Sequence, residues 1–176
     1  GYWKTNSQLG SLTEMAEFCV NAKLSERDTH RADNRYLSDT QLRHGAEQVA
    51  AALTLCKSWT IRLAGSQPGG NRTARALDPA AVLPGWTDEE RNVLLRRGVF
   101  APGTYGRVRF HHRNTQEYLC AKWLDHLLED GRSRHAVWQL LFTECYGIKA
   151  IVPSLQPAAA WLAGNHPDIR REVIER

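Results

Sequence analysis

Val99-Phe100-Ala101-Pro102-Gly103-Thr104-Tyr105-Gly106-Arg107-Val108-Arg109-Phe110, running on into His111-His112-Arg113-Asn114-Thr115-Gln116-Glu117-Tyr118, is the stretch on which the fold turns. Pro102, Gly103 and Gly106 are turn residues. Beyond them charged and apolar residues alternate from Arg107 to Phe110, the period of a half-buried strand. Paired with Val99-Phe100-Ala101, this is a β-hairpin that points Val108 and Phe110 at a core and Arg107 and Arg109 at water. Asn114, with Glu117 three residues later, reads as the cap of the next helix. Leu119, Cys120, Trp123, Leu124, Leu127 and Leu128 give that helix a wide apolar stripe.

Upstream of the hairpin, Thr87-Asp88-Glu89-Glu90 is a capping box opening a helix through Val93, Leu94 and Leu95 to Arg97, with Gly98 as its stop. Asp78-Pro79 supplies a cap and a first-turn proline for a short helix. Thr60-Ile61-Arg62-Leu63 has strand period, and Gly65 to Asn71 is a surface loop. Ser38-Asp39-Thr40-Gln41 is a second box, followed by a seam of Leu42, Ala46, Val49, Leu53 and Cys56. The order helix, strand, short helix, helix, hairpin, helix predicts a winged-helix unit over 37–128 with a small three-stranded antiparallel sheet. The chain is thus expected to be mainly α.

Two helical segments are expected to flank this unit. Residues 1–36 contain a third box, Ser11-Leu12-Thr13-Glu14, then Met15, Phe18, Cys19 and Ala22 on one helix side, then a charged loop from Ser25 to Tyr36. Residues 129–176 contain a helix capped by Ser133 and carrying Val137, Leu140, Leu141 and Cys145. A helix pair, Pro157–Ala163 and Asp168–Glu175, follows across Gly164-Asn165 and suggests the start of HEAT-like repeats. Both chain ends are expected to be cuts through a longer polypeptide.

The net charge is +4. No secretory pattern opens the chain and no apolar run reaches the length of a membrane span, so a cytoplasmic, membrane-free protein is expected. The four cysteines lie far apart with no CxxC pair and no histidines at ligand spacing, which reads as buried reduced thiols and no metal site. Between Glu90 and Glu117 there is no acid, and Arg91, Arg96, Arg97, Arg107 and Arg109 are candidate polyanion contacts or a solvated basic face. Asp88, Glu89 and Glu90 occupy a first helical turn, where the dipole alone favours them. The glycine-rich loop lacks the Lys and Ser or Thr that a phosphate-binding loop places after it.

Phe110-His111-His112-Arg113-Asn114-Thr115-Gln116-Glu117-Tyr118-Leu119-Cys120-Ala121 resembles the pattern Phe-x-His-x-Ser/Thr-x-Gln-Glu-Phe/Tyr-x-Ala-Ala of NACHT-type signal-transduction ATPases of the STAND class. In that family the pattern lies where the winged helix's hairpin meets its last helix. Tyr2-Trp3-Lys4 with Leu9-Gly10-Ser11-Leu12 is similar to the segment after the nucleotide-binding core of bacterial members, and Ser154-Leu155-Gln156-Pro157 to the start of their repeats. The pattern departs at Asn114 and Cys120. The resemblance implies that His112 contacts the β-phosphate of ADP, with Arg113 beside it. Phe110, Asn114, Gln116, Glu117, Tyr118 and Ala121 would support the motif.

On that reading the chain is a regulatory lid that senses ADP and ATP and gates signalling or oligomerisation. It has no catalytic residues of its own. Its partner is an ATPase core in the same parent polypeptide, which would hold ADP or ATP with magnesium and could self-associate when activated. Two alternatives stand beside it: a DNA-binding winged helix using the five arginines, with Glu89 and Glu90 poorly placed for it, and a non-catalytic helical scaffold for protein partners.

Overall fold

The computed structural model describes residues 11–25, 37–66, 76–129 and 134–174. Expectations for the opening Tyr2 to Gly10, the charged loop from Glu26 to Tyr36, Gln67 to Asn71, the Ser133 cap and Glu175 lie outside the described residues. The element order is α1 (Leu12–Ser25), α2 (Asp39–Leu55), β1 (Thr60–Arg62), β2 (Ala76–Leu77), α3 (Pro79–Val82), α4 (Asp88–Leu95), β3 (Phe100–Pro102), β4 (Arg107–Phe110), α5 (Arg113–Glu129), α6 (Arg134–Leu141), β5 (Phe142–Cys145), β6 (Ile148–Ile151), α7 (Gln156–Leu162) and α8 (Pro167–Ile174), with a 3-10 turn at Pro153–Leu155. The fold is mainly α.

All three capping boxes form. Glu14 N–H donates to the Ser11 hydroxyl and Ser11 N–H to the Glu14 carboxylate, both at 3.2 Å. Ser38 with Gln41 and Thr87 with Glu90 make the same reciprocal pairs, so each helix starts where its box places it. The core is built on α2 against α5. Leu42, Ala46, Val49, Ala50 and Leu53 of α2, and Leu119, Cys120 and Leu124 of α5, are all buried. Gly45 lets α4 approach. A Cβ there would lie 2.6 Å from Trp86 Cη2 and 2.9 Å from Leu94 Cδ2.

The sheet corrects the expectation of three antiparallel strands. It has four, in the order β2–β1–β4–β3, with β1/β4 and β4/β3 antiparallel and β1/β2 parallel. Ala76–Leu77 is too short to show alternation in the sequence, yet it pairs with backbone groups that the edge of β1 would otherwise leave open. Ile61 stands opposite Val108, and Phe100 opposite Phe110 with ring centroids 4.6 Å apart. These four side chains are buried, while Arg109 is exposed, as the alternation predicts. The Asn92 side chain fastens α4 to the end of β1, accepting from Ala64 N–H at 2.9 Å and donating to its carbonyl at 3.1 Å.

Three further expectations are revised. First, α1 buries Val20 and Leu24, leaving Leu12, Met15, Phe18 and Cys19 exposed, so its apolar side faces away from the core. Second, the helix expected to run to Cys145 stops at Leu141, and Phe142–Cys145 pairs with Ile148–Ile151. Tyr146 and Gly147 both have positive φ (53° and 75°), the geometry of a two-residue hairpin turn. Third, Cys56 caps the end of α2 at the surface, and with Cys19 it breaks the expectation of buried thiols; Cys120 is buried. The α7–α8 pair forms around Gly164-Asn165 as expected. Among the described residues no helix is long and apolar enough to cross a membrane.

Candidate functional site

The last ladder bond of the hairpin is His111 N–H to the Val99 carbonyl at 2.9 Å, and the chain then turns directly into α5. The His112 carbonyl accepts the first helical bond, from Gln116 N–H at 3.3 Å, so His112 itself occupies the cap position. This corrects the expected cap at Asn114, which lies exposed inside the first turn. Glu117, expected to close that cap, instead accepts from Arg113 Nε at 2.8 Å, one turn back along the helix.

His111 and His112 are both exposed, with their rings stacked at 4.4 Å. The Lys23 ammonium on α1, followed by slight desolvation and then His111, holds the His112 imidazole below its ordinary value of 6.5. The first-turn N–H groups of α5 add positive potential at the same place. The Arg113 guanidinium lies over the Trp59 ring, 6.0 Å from its centroid. His112, Arg113 and Asn114 form the polar end of a cleft of about 430 Å³ whose other wall is Met15, Ala16 and Cys19 of α1. The cleft therefore combines an exposed imidazole, the Arg113 cation and a helix N-terminus at one end with apolar surface at the other, and Lys23 adds its positive field from α1. That combination suits an anion carried on a larger body.

The remaining motif residues are inward. Phe110, Tyr118 and Ala121 are buried. The Gln116 carboxamide donates to the Thr54 hydroxyl at 3.1 Å, tying α5 to α2. The Tyr118 hydroxyl donates to Glu17, and Arg43 pairs with the same carboxylate at 2.8 Å. Burial pushes the Tyr118 phenol well above its usual range, and the neighbouring Glu17 carboxylate adds to the shift.

The five arginines do not form one surface. Arg91 is buried, donating twice to the Leu83 carbonyl (3.1 and 2.9 Å) and pairing with Asp88, so it holds the α3–α4 turn. Arg97 is also buried; Arg96 and Arg109 are exposed and Arg107 is half-buried. Lys23 and Trp59 belong to this neighbourhood and were not foreseen. They come from elements distant in sequence and carry no local pattern of their own. Comparison with protein-family models, curated proteins and solved structures gave no match.

Proposed function

We propose that this chain is the regulatory lid of a NACHT-type signal-transduction ATPase of the STAND class. In this reading β1, β4 and β3 with α2, α4 and α5 are a winged-helix unit, β2 is an added edge strand, and α7–α8 begin a HEAT-like array. One observation carries the reading. The motif histidine, His112, stands exposed at the turn from the wing into α5, beside Lys23 and Arg113. A neutral imidazole there donates one N–H to a phosphate oxygen, and the phosphate's own charge favours taking up a second proton. A charge-assisted hydrogen bond of this kind contributes about 1.5–3 kcal/mol, enough to bias a closed against an open state roughly ten- to a hundred-fold.

The lid would act by preferring the ADP-loaded core and releasing it on exchange. ADP or ATP with magnesium, and the groups that hydrolyse it, would reside in the core of a cytoplasmic parent protein. The exposed Leu12, Met15 and Phe18 offer that core an apolar seat next to the phosphate contact. The DNA-binding alternative has less support, since Arg91 and Arg97 turn inward and Arg96, Arg107 and Arg109 are what it retains at the surface. In the full-length protein, His112→Ala should speed ADP release about ten-fold or more, read as the off-rate of a fluorescent ADP analogue. An unchanged off-rate would remove His112 from the mechanism.

A further inference from the structure

We infer that His44, Glu47 and His126 form a binding site for a divalent transition-metal cation, zinc by the chemistry of the ligands, that clamps α2 to α5. The site is independent of the nucleotide reading. His44 and Glu47 are three residues apart on one face of α2, and His126 faces them from the last turn of α5. One ligand atom from each lies within 4.8 Å of the other two. His126 Nδ1 is 3.2 Å from Glu47 Oε2. Ligands around tetrahedral zinc are about 3.4 Å apart, given metal–ligand distances near 2.0–2.1 Å. One pair is thus already at the required spacing. Both imidazoles are exposed and can rotate to close the rest.

Charge supplies the second argument. The Glu47 side chain is only 2% exposed. Arg43 Nε binds its Oε1 at 2.7 Å, but the same guanidinium also donates to both oxygens of Glu17, at 3.0 and 2.8 Å. Two carboxylates therefore share one guanidinium. Glu47 is the more buried of the two, so its charge is the less screened by water, and its Oε2 faces the imidazoles. A cation bound there neutralises it, and Arg43 orients the carboxylate from behind as outer-shell partners do. Two imidazoles and one carboxylate select zinc over calcium or magnesium, which take oxygen ligands. The exposed side leaves a fourth position for water.

The test is a titration of the untagged chain with cobalt and zinc. The expected result is one cobalt per chain with the visible bands of tetrahedral coordination and no thiolate charge-transfer band. Zinc should raise the unfolding temperature. His44→Ala and His126→Ala, both at surface positions, should each weaken zinc binding by about ten-fold or more, while His112→Ala leaves it unchanged. Absence of uptake at high-micromolar zinc, cobalt bands of thiolate origin, or binding indifferent to His44→Ala and His126→Ala would each overturn the site.

Discussion

Gly45→Ala is the perturbation whose outcome the packing fixes most tightly. On an open helix face it would stabilise α2 by about 1 kcal/mol, the difference in helix propensity. Here the new methyl would stand 2.6 Å and 2.9 Å from Trp86 Cη2 and Cζ2, and 2.9 Å from Leu94 Cδ2. Carbon–carbon contacts settle at about 3.5–4.0 Å, so the half-buried indole must retreat by roughly an ångström. Overpacking of that kind costs about 1–3 kcal/mol. After the propensity gain is subtracted, the net effect is a destabilisation of up to about 2 kcal/mol, a fall in unfolding temperature of up to roughly 8 °C. Urea unfolding followed by circular dichroism gives the value, with an unchanged slope as the sign that only stability moved. The decisive measurement is the double-mutant cycle with Trp86→Leu. Once the indole is gone only the Leu94 contact at 2.9 Å remains, so Gly45→Ala should cost clearly less than in the wild type. Stabilisation in the wild-type background, or a coupling energy of zero, would refute the claim that Gly45 sets the α2–α4 spacing.

Other outcomes follow from the titrating groups. Burial pushes the Cys120 thiol up to about 11, so iodoacetamide at mildly alkaline pH should label Cys19 and Cys56 in the native chain and spare Cys120; peptide mass mapping checks this. Burial opposes ionisation of Asp125, but the His166 ring at 2.6 Å and Lys122 outweigh it and hold the carboxyl below its ordinary 3.8. That stabilisation is fully present above pH 3.8 and fades as pH falls through the lower folded value. Asp125→Asn should therefore cost about 1.5–3 kcal/mol at neutral pH, and its deficit against the wild type should close in acid. His112 should titrate below 6.5 by proton NMR, and Lys23→Gln should move it upward; no movement would show that Lys23 does not set the field at the junction.

Local chemistry was legible in the sequence and distant chemistry was not. Ser11, Ser38 and Thr87 announce helix starts because each box closes within four residues. The alternation at Arg107–Phe110 gave the orientation of the hairpin. By contrast, Cys145 continues the helical spacing of Val137, Leu140 and Leu141 yet lies in a strand, and the turn residues Tyr146-Gly147 were the punctuation that could have decided between the two. The buried role of Arg91 depends on the Leu83 carbonyl, which no charge count reveals. His112 was legible as a motif position, whereas its cationic neighbour Lys23 and the group His44, Glu47 and His126 exist only once helices far apart in the chain are laid side by side.

The seventeen residues of α5 form a rod about 25 Å long. Its first turn adjoins His112. Further along, Tyr118 meets Trp161 of α7 edge-on at 5.1 Å, and Asp125 holds His166 just ahead of α8. On the α5 side both contacts lie on one unbroken helix. On the lid reading, a displacement of the hairpin end would reach α7 and α8 through these two contacts along the rod.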